Sequence, residues 1–294
     1  MIHKPINNTL VRELKNNITK HCNDVSKDRV MGLWQEKMVA MKREIFENAD
    51  INGFLNFPTI SATMFVGNCP SVGKEYDILM SSPQVFKWMN AIQENTIGSP
   101  RISDVNPNSS GNLIHNVYHL NVFEDNTKEQ IENMDMIVEF GGGYGSMCRA
   151  IYQAGFKGKY VLYDLPVFAC IQNFYLKSLE YNVSDMNVVS NNGDISCFFD
   201  TNKLGEQMNV NRGLKNKMFI ATWSLSESPL LIRNIIIDLL KMHGFNYFLI
   251  ASMTHWEGID NIRFFSELDI PGVEFKVIQN EFFIPNFYVI GYPK

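Results

Sequence analysis

The sequence predicts an α/β fold in which a mostly parallel sheet carries helices on both faces and follows a helical N-terminal region. Beyond residue 136, short apolar strands alternate with helical segments, and two further strands with a short connection close the chain. Apolar side chains in the first third recur at helical spacing instead. A chain of 294 residues has room for one main domain and a smaller appendage.

The N-terminal third contains three helical patterns. The first covers residues 9–21, and the second covers residues 27–48, with Ser26 as its N-cap and Met and aromatic residues at helical spacing. A third helix begins after Ser82-Pro83, because proline suits a first helical turn. We interpret the stripe on the second helix as core-facing, since such stripes pack on protein more often than they form a binding groove.

A polar stretch rich in turn-forming residues, ENTIGSPRISDVNPNSSGN, occupies residues 94–112. It has the most linker-like composition in the chain. We therefore expect the domain boundary here, with residues 1–112 forming a helical cap and residues 113–294 forming the main domain.

The main domain shows five apolar segments followed by a hairpin. Helices that start near Ser146, Leu165 and Pro229 lie between the segments, and this alternation indicates right-handed crossovers in a parallel sheet. The hairpin predicts a closing antiparallel pair. The predicted strands cover residues 136–139, 160–163, 188–190, 218–222, 247–252, 273–279 and 287–291.

Composition excludes several classes of protein. A net charge of −5 disfavours nucleic acid as a partner, because a phosphate-backbone binder carries a clustered Lys/Arg excess. The five cysteines include no C-x-x-C pair and indicate reduced thiols. No stretch of 18 uncharged apolar residues occurs, and the N-terminus has no signal-like apolar run. We expect a cytoplasmic protein without a membrane span, whose oligomeric state the sequence leaves open.

The segment 138-VEFGGGYGSMCRA-150 places four glycines in five positions between a strand and a helix. Such a turn lets backbone N–H groups approach a ligand closely. The dinucleotide spacing G-x-G-x-x-G fails, because its third glycine would stand where the chain has Ser146. The spacing acidic-x-G-x-G-x-G fits Glu139, Gly141, Gly143 and Gly145. A purely structural tight turn is the alternative.

That spacing resembles motif I of the class I S-adenosylmethionine-dependent methyltransferases. The resemblance implies that the glycines approach the amino-acid part of the cofactor and that Glu139 lies near its ammonium group. Asp164 ends the next predicted strand and is positioned to accept hydrogen bonds from both ribose hydroxyls, although dinucleotide enzymes share this feature. None of the eleven tyrosines has Lys four residues later, so a nicotinamide-dependent reductase is disfavoured.

A closer similarity covers about residues 136–231. The glycine loop, the tripeptide Asp164-Leu165-Pro166, the continuation from Gln172 and the segment TWSLSES at residues 222–228 resemble the sugar O-methyltransferases of bacterial and viral glycan biosynthesis. The resemblance implies a Rossmann-like catalytic domain with a seven-stranded, mostly parallel sheet and an antiparallel C-terminal hairpin. It also implies a sugar or glycan acceptor and a helical cap that shapes the acceptor site. Ser228-Pro229 departs from the family pattern, which would have a bulkier apolar residue there.

Two residues are candidates for the general base that removes the proton of the acceptor hydroxyl. Glu227 follows the fourth predicted strand, next to the crevice where open α/β sheets bind ligands; a helix N-terminal glutamate is the equal alternative. His255 lies in the loop after the fifth strand, and a surface or packed histidine is its alternative.

Further candidates belong to the binding pocket. Asp194, in a turn after the third predicted strand, resembles the polar residue that contacts adenine, or is an ordinary turn residue. Tyr144 and Trp223 are expected to line the cofactor or acceptor pocket, with core packing as the alternative, and Leu165 is expected beside the cofactor.

A metal site is not favoured. His115 and His119 are four residues apart on a possible helix, but no third ligand accompanies them. Sugar methyltransferases that use Mg²⁺ hold it with carboxylates after strands four and five, and Thr222-Trp223-Ser224 offers no Asp at the first place, although Glu227 and Asp260 are nearby.

Three other functions remain open at this stage. The protein could methylate a non-sugar small molecule, or it could be a catalytically inactive methyltransferase fold that serves as a partner subunit. The nicotinamide-dependent reductase is the third. The intact glycine loop, with Glu139 and Asp164 at adjacent strand ends, counts against an inactive fold.

Overall fold

The computed structural model describes residues 6–22, 30–48, 50–67 and 69–294. Its centre is a seven-stranded sheet with the order β3-β2-β1-β4-β5-β9-β8, in which β1 to β5 are parallel and β9 runs antiparallel to both β5 and β8. The predicted fold class is therefore confirmed, including the antiparallel C-terminal pair. The strands of this sheet are β1 (Met136–Phe140), β2 (Lys159–Tyr163), β3 (Ile195–Phe198), β4 (Lys217–Thr222), β5 (Tyr247–Ser252), β8 (Val273–Gln279) and β9 (Phe287–Pro293), and a small separate hairpin contains β6 (His255–Trp256) and β7 (Ile259–Asp260).

The prediction of the third strand was wrong. Residues 188–190 form no strand, and β3 lies seven residues further on, at Ile195–Phe198. Val188 is 48% exposed, whereas all four residues of β3 are buried and pair with or flank β2. The correct position matters for the site, because it changes which residues follow the strand.

Helices cover both faces of the sheet. Successive residues of β1 point to opposite sides, so that Ile137 joins one hydrophobic core while Met136 and Val138 join the other. The first core contains the N-terminal helices and the helices that follow β1 and β2, and the second contains the helices that follow β3, β4 and the small hairpin. The helices that follow β1 are α7 (Ser146–Gln153), α8 (Pro166–Ser178), α9 (Thr201–Val210), α10 (Leu230–Met242) and α11 (Asn261–Ser266).

The N-terminal region is helical, as predicted, and packs on one face of the sheet. Its elements are α1 (Asn8–His21), α2 (Gly32–Glu47), a 3₁₀ helix (Ile51–Asn56), α3 (Pro58–Thr63), α4 (Pro70–Ser81), α5 (Val85–Ala91) and α6 (Gly111–Thr127). The proposed N-cap Ser26 lies outside the described residues. None of the described helices has the length and apolar character needed to cross a membrane.

The polar stretch 94–112 is anchored to the main domain. Glu94 accepts hydrogen bonds from Arg149 (2.6 Å) and from the hydroxyl of Ser110 (2.6 Å), and Ser110 caps α6 by accepting from the N–H of Leu113. Both partners of the Glu94–Arg149 ion pair are buried. The stretch therefore holds α6 in place, and the division of the chain at residue 112 stays a prediction.

Candidate functional site

A cavity of about 590 Å³ lies at the carboxyl ends of β1 to β4. The strands and the segments that follow them form its floor, and the N-terminal helices together with α6 form its walls and cover. The location agrees with the expectation that open α/β sheets bind ligands at this edge. Its lining residues include Trp34, Asn112, His115, Asn116, His119, Glu139, Gly141, Gly143, Tyr144, Asp164, Leu165, Asp200, Trp223, Ser224 and Glu227.

The glycine loop needs glycine for its backbone shape. Gly141, Gly143 and Gly145 have φ values of 72°, 59° and 97°, in the left-handed region that favours glycine. A Cβ at position 141 would lie 2.2 Å from the Cβ of Ser224, whose hydroxyl donates to the carbonyl of Phe140. The backbone of the glycine loop therefore packs against the side chain of Ser224 in the segment after β4, and both segments line the cavity.

Glu139 lies under the glycine loop. Its side chain is 2% exposed, and its Oε2 accepts a hydrogen bond from the hydroxyl of Tyr160 at 2.8 Å. Burial raises the pKa of the Glu139 carboxyl from 4.5 to about 8; the charge of Asp164 adds to the increase, and the Tyr160 hydroxyl opposes it. Ionisation of Glu139 in the ligand-free protein is consequently costly, and a cation in the cavity would offset the cost.

Asp164 follows β2 and its carboxyl is held in place by the loop around it. Oδ2 accepts from the backbone N–H of Gly143 (3.2 Å) and from Nε2 of Gln172 (2.7 Å), while Oδ1 accepts from the N–H of Leu165 (2.7 Å). Burial raises the pKa of Asp164 to about 7, against the effect of these three donors. The carboxyl thus lies at the junction of the glycine loop and α8, where both segments border the cavity.

The cavity wall is acidic. Four carboxyl side chains line it, those of Glu139, Asp164, Asp200 and Glu227, and no Lys or Arg stands among the described lining residues. Asp200 follows β3 and uses its carboxylate to cap α9. A wall of this composition is complementary to a cationic ligand and repels a pyrophosphate.

Glu227 is joined to the N-terminal helices. Its Oε2 accepts from the indole N–H of Trp34 on α2 at 3.0 Å, a contact between residues 193 positions apart. Burial raises the pKa of Glu227 to about 7, and the Trp34 hydrogen bond opposes the shift. The turn that carries Glu227 is held by Arg233, a fully buried side chain that donates to the carbonyls of Ser226 and Ser228.

The two predicted pocket aromatics lie at the cavity. Tyr144 is 2% exposed, and its hydroxyl accepts from Nδ2 of Asn112 at 2.9 Å. Trp223 has a φ of 69°, unusual for a residue with a bulky side chain, and its N–H donates to the carbonyl of Ala251. Leu165 also lines the cavity. Whether these three residues contact a ligand stays a prediction.

Two predicted site residues lie elsewhere. Asp194 was predicted to follow the third strand, but it directly precedes β3, at the amino ends of the strands and away from the cavity. Its side chain is half exposed and accepts a hydrogen bond from Asn182. His255 begins the small β6–β7 hairpin, is exposed and does not line the cavity. Neither position supports the role first suggested for the residue.

Sequence analysis missed one wall of the cavity, the face of α6. Asn112, His115, Asn116 and His119 are spaced at i, i+3, i+4 and i+7, the helical period, and all four line the cavity. The spacing of the two histidines was noted, but only as a possible pair of metal ligands. Within the described part of the chain, no group of three or more His, Cys, Asp or Glu is arranged to hold a metal ion.

No protein-family model matches this sequence, and no curated protein sequence matches it. Among solved structures, a mutant of MtNAS in complex with S-adenosylmethionine is 12% identical, with 97% of this chain and 96% of that chain covered and a TM-score of 0.41. PigF with SAH is 10% identical, with coverages of 97% and 69% and a TM-score of 0.39. The mitomycin 7-O-methyltransferase MmcR is 11% identical, with coverages of 80% and 63% and a TM-score of 0.37. Similarity at this level says nothing about what this chain binds, which has to be inferred from its own residues.

Proposed function

We propose that the protein is an S-adenosylmethionine-dependent O-methyltransferase that acts on a sugar hydroxyl, free, nucleotide-linked or within a glycan. The observation that carries the proposal is the cavity at the ends of β1 to β4, which combines the glycine loop with four carboxyl groups and, among its described lining residues, no Lys or Arg. S-adenosylmethionine carries a sulfonium and an ammonium, so it suits this wall, whereas the pyrophosphate of a dinucleotide does not.

The residues of the site fit this cofactor. We assign the amino-acid part of the cofactor to the glycine loop, where Gly141 and Gly143 line the cavity, and its ammonium to Glu139. Gly145 does not line the cavity: a Cβ there would meet Leu176 and Tyr175 of α8, so its role is to let the loop turn. We assign the ribose hydroxyls to Asp164, whose carboxyl the loop already holds in position. When bound, S-adenosylmethionine supplies a methyl group activated by the sulfonium. The protein must exclude water, align the acceptor with that methyl group and remove a proton.

The sugar acceptor rests on the sequence resemblance, and the polar groups of α6 at the cavity support a hydroxyl-bearing acceptor. Of the two candidate bases from the sequence, Glu227 lies in the cavity wall and His255 does not. We expect activity without Mg²⁺, because the residues that follow β4 include no Asp; loss of activity with EDTA and its return with Mg²⁺ would contradict this. Methylation of a non-sugar small molecule is the nearest alternative, and an acceptor screen separates the two.

The first experiment is calorimetric titration of the purified protein with S-adenosylhomocysteine, with NAD⁺ as the control ligand. We expect one-site micromolar binding of S-adenosylhomocysteine alone. Asp164→Ala should weaken this binding, whereas Asp194→Ala, which removes a carboxylate at the opposite edge of the sheet, should leave it unchanged. Binding of NAD⁺ alone would favour a reductase, and cofactor binding without turnover on any acceptor would favour a partner subunit.

Equal effects of the two Asp variants would refute the assignment of the ribose to Asp164. Since Asp194 is half exposed and outside the cavity, its replacement also controls for the loss of one negative charge from the protein.

A further inference from the structure

Helix α6 presents a polar face to the cavity although most of its residues are buried. Burying polar groups is costly unless they are hydrogen-bonded. Asn112 is bonded, since it donates to Tyr144 and accepts from the N–H of Val66. The amide of Asn116 makes no hydrogen bond within the described part of the chain, and His115 and His119 each use only one ring nitrogen. This face therefore keeps hydrogen-bonding capacity for a ligand.

The proton positions on His119 follow from a chain of hydrogen bonds. Oδ1 of Asn280 accepts from the backbone N–H groups of Phe282 and Phe283, so its Nδ2 is the donor to the hydroxyl of Tyr288 (3.3 Å). Among the described residues, Nδ1 of His119 (2.8 Å) is the one remaining acceptor for the proton of the Tyr288 hydroxyl, which therefore donates to it. His119 consequently carries its proton on Nε2, a buried atom without a partner among the described residues.

His115 is arranged in the opposite way. Its Nδ1 lies 2.8 Å from Oε1 of Glu75, a fully buried side chain on α4. A carboxylate only accepts, so Nδ1 of His115 carries the proton and Nε2 has a lone pair available to a ligand in the cavity. The two imidazole rings are neighbours, with centroids 4.3 Å apart. Burial, together with the neighbouring His115, lowers the pKa of His119 well below its usual value, so His119 stays neutral.

We propose that the α6 face is the acceptor subsite and that His115 is the catalytic residue that binds the acceptor hydroxyl and takes its proton, with Glu75 as the positioning residue. The proposal rests on the proposed function and replaces Glu227 as the base. In the step, the acceptor O–H bond breaks and its proton goes to Nε2 of His115. The oxygen uses its electron pair to bond the methyl carbon, as the bond from that carbon to sulfur breaks with its pair left on sulfur. The new imidazolium charge lies beside the carboxylate of Glu75.

The arrangement also accounts for the location of Glu75. A fully buried carboxylate is expensive, and its cost is offset when it faces a group that becomes positively charged during the reaction. A carboxylate behind an imidazole also fixes which nitrogen carries the proton, and so which nitrogen faces the substrate. Glu75 and His115 belong to α4 and α6, so two helices of the N-terminal region supply the positioning residue and the residue that touches the acceptor.

The first test reads the tautomers directly and needs no acceptor. Two-bond ¹H–¹⁵N correlation spectra of ¹⁵N-histidine-labelled, ligand-free protein at pH 8 should show His115 protonated on Nδ1 alone and His119 protonated on Nε2 alone. In Glu75→Gln, the His115 signals should move towards a mixture of tautomers while those of His119 stay. Protonation of His115 on Nε2 in the wild type would overturn the proposal, even if S-adenosylhomocysteine binds as expected.

The second test uses turnover with S-adenosyl-[methyl-¹⁴C]methionine and a panel of methyl glycosides of glucose, galactose, mannose and rhamnose. His115→Asn should lower kcat by about 10²–10⁴-fold while the affinity for S-adenosylhomocysteine stays within about twofold of the wild type. His255→Asn replaces the second candidate base of the sequence, an exposed histidine outside the cavity. We expect it to retain wild-type kcat, and a loss as large as that of His115→Asn would overturn the proposal.

Three outcomes separate the proposals. Retention of kcat within about tenfold in His115→Asn, with a large loss in Glu227→Gln, would return the base to Glu227 and overturn the proposal. Failure of the wild type to methylate any glycoside would contradict the sugar acceptor, and the tautomer spectra would still decide the arrangement of His115. Loss of S-adenosylhomocysteine binding in a folded His115→Asn protein would place His115 in the cofactor site and overturn the acceptor assignment.

Discussion

Replacement of Glu139 by Gln should stabilise the ligand-free protein while abolishing its binding of S-adenosylmethionine. The amide has the size of the carboxyl group and keeps an oxygen that accepts from the Tyr160 hydroxyl. It cannot ionise, however, so it avoids the cost of a buried charge. In the proposed function that same charge binds the cofactor's ammonium, so the gain in stability and the loss of binding have one cause.

The magnitude follows from the pKa of Glu139, which burial raises from 4.5 to about 8. Between these values the folded protein holds a proton that the unfolded chain releases, so the stability of the wild type falls as pH rises through this window. The variant should therefore gain about 1 kcal/mol at pH 5, about 3 kcal/mol at pH 7 and about 5 kcal/mol at pH 9.

Thermal unfolding of the two proteins from pH 5 to pH 9 measures the difference. At pH 7 the midpoint of Glu139→Gln should lie about 5–10 °C above that of the wild type, and the gap should widen towards pH 9. Glu36→Gln, at an exposed glutamate, controls for the loss of a surface charge and should follow the wild type. A variant that is no more stable than the wild type at pH 9, or one whose advantage shrinks as pH rises, would refute the assigned environment of Glu139.

Three further predictions concern the same cavity. In urea unfolding, Gly141→Ala should lower the free energy of unfolding by about 2–4 kcal/mol, because the backbone there is left-handed and the new Cβ would collide with the Cβ of Ser224. Gly213→Ala is the control: the space around Gly213 is open, so its free energy of unfolding should change by less than about 1 kcal/mol. Arg233→Lys should cost about 2–4 kcal/mol in the same assay, because an ammonium cannot reach the three acceptors that the guanidinium bonds. Binding of S-adenosylmethionine should release protons near pH 7, because its positive charge lowers the pKa values of Glu139, Asp164 and Glu227, which are about 7 to 8 in the free protein. Calorimetric titration in two buffers of different ionisation enthalpy counts the released protons, and proton uptake would contradict the charge assignment.

Much of the sheet could be predicted because its signals are local. Parallel strands buried on both faces read as apolar runs, and β1, β2, β4 and β5 were each predicted within one residue of their observed bounds. The third strand was predicted at the wrong place because Val188-Val189 has a higher strand propensity than the sequence of β3. Pairing with β2 and burial, rather than propensity, determine that the strand forms at Ile195–Phe198. That error also moved Asp194 to the wrong edge of the sheet.

The walls of the cavity could not be predicted, because they depend on contacts between distant parts of the chain. The hydrogen bond from Trp34 to Glu227 joins residues from α2 and the β4–α10 connection, and nothing in either segment indicates the other. The tautomer of His119 depends on Tyr288, 169 residues away. What the sequence does contain is the periodic spacing of polar residues on α6, and in a helix with mostly buried residues that pattern is itself a signal of a ligand site.

The cost of the site and its selectivity have the same physical origin. A buried carboxyl without a cationic partner is unfavourable in the free protein, and three such groups, those of Glu139, Asp164 and Glu227, have raised pKa values around one cavity. A lysine or arginine among them would relieve that cost, but it would also occupy the position of a cationic ligand and attract phosphates instead. In the proposed function, such a wall binds S-adenosylmethionine, which carries a sulfonium and an ammonium, more tightly than S-adenosylhomocysteine, which keeps only the ammonium. This difference favours exchange of product for fresh cofactor. In the proposed function, the positive charge of the bound cofactor offsets the cost of ionising Glu139.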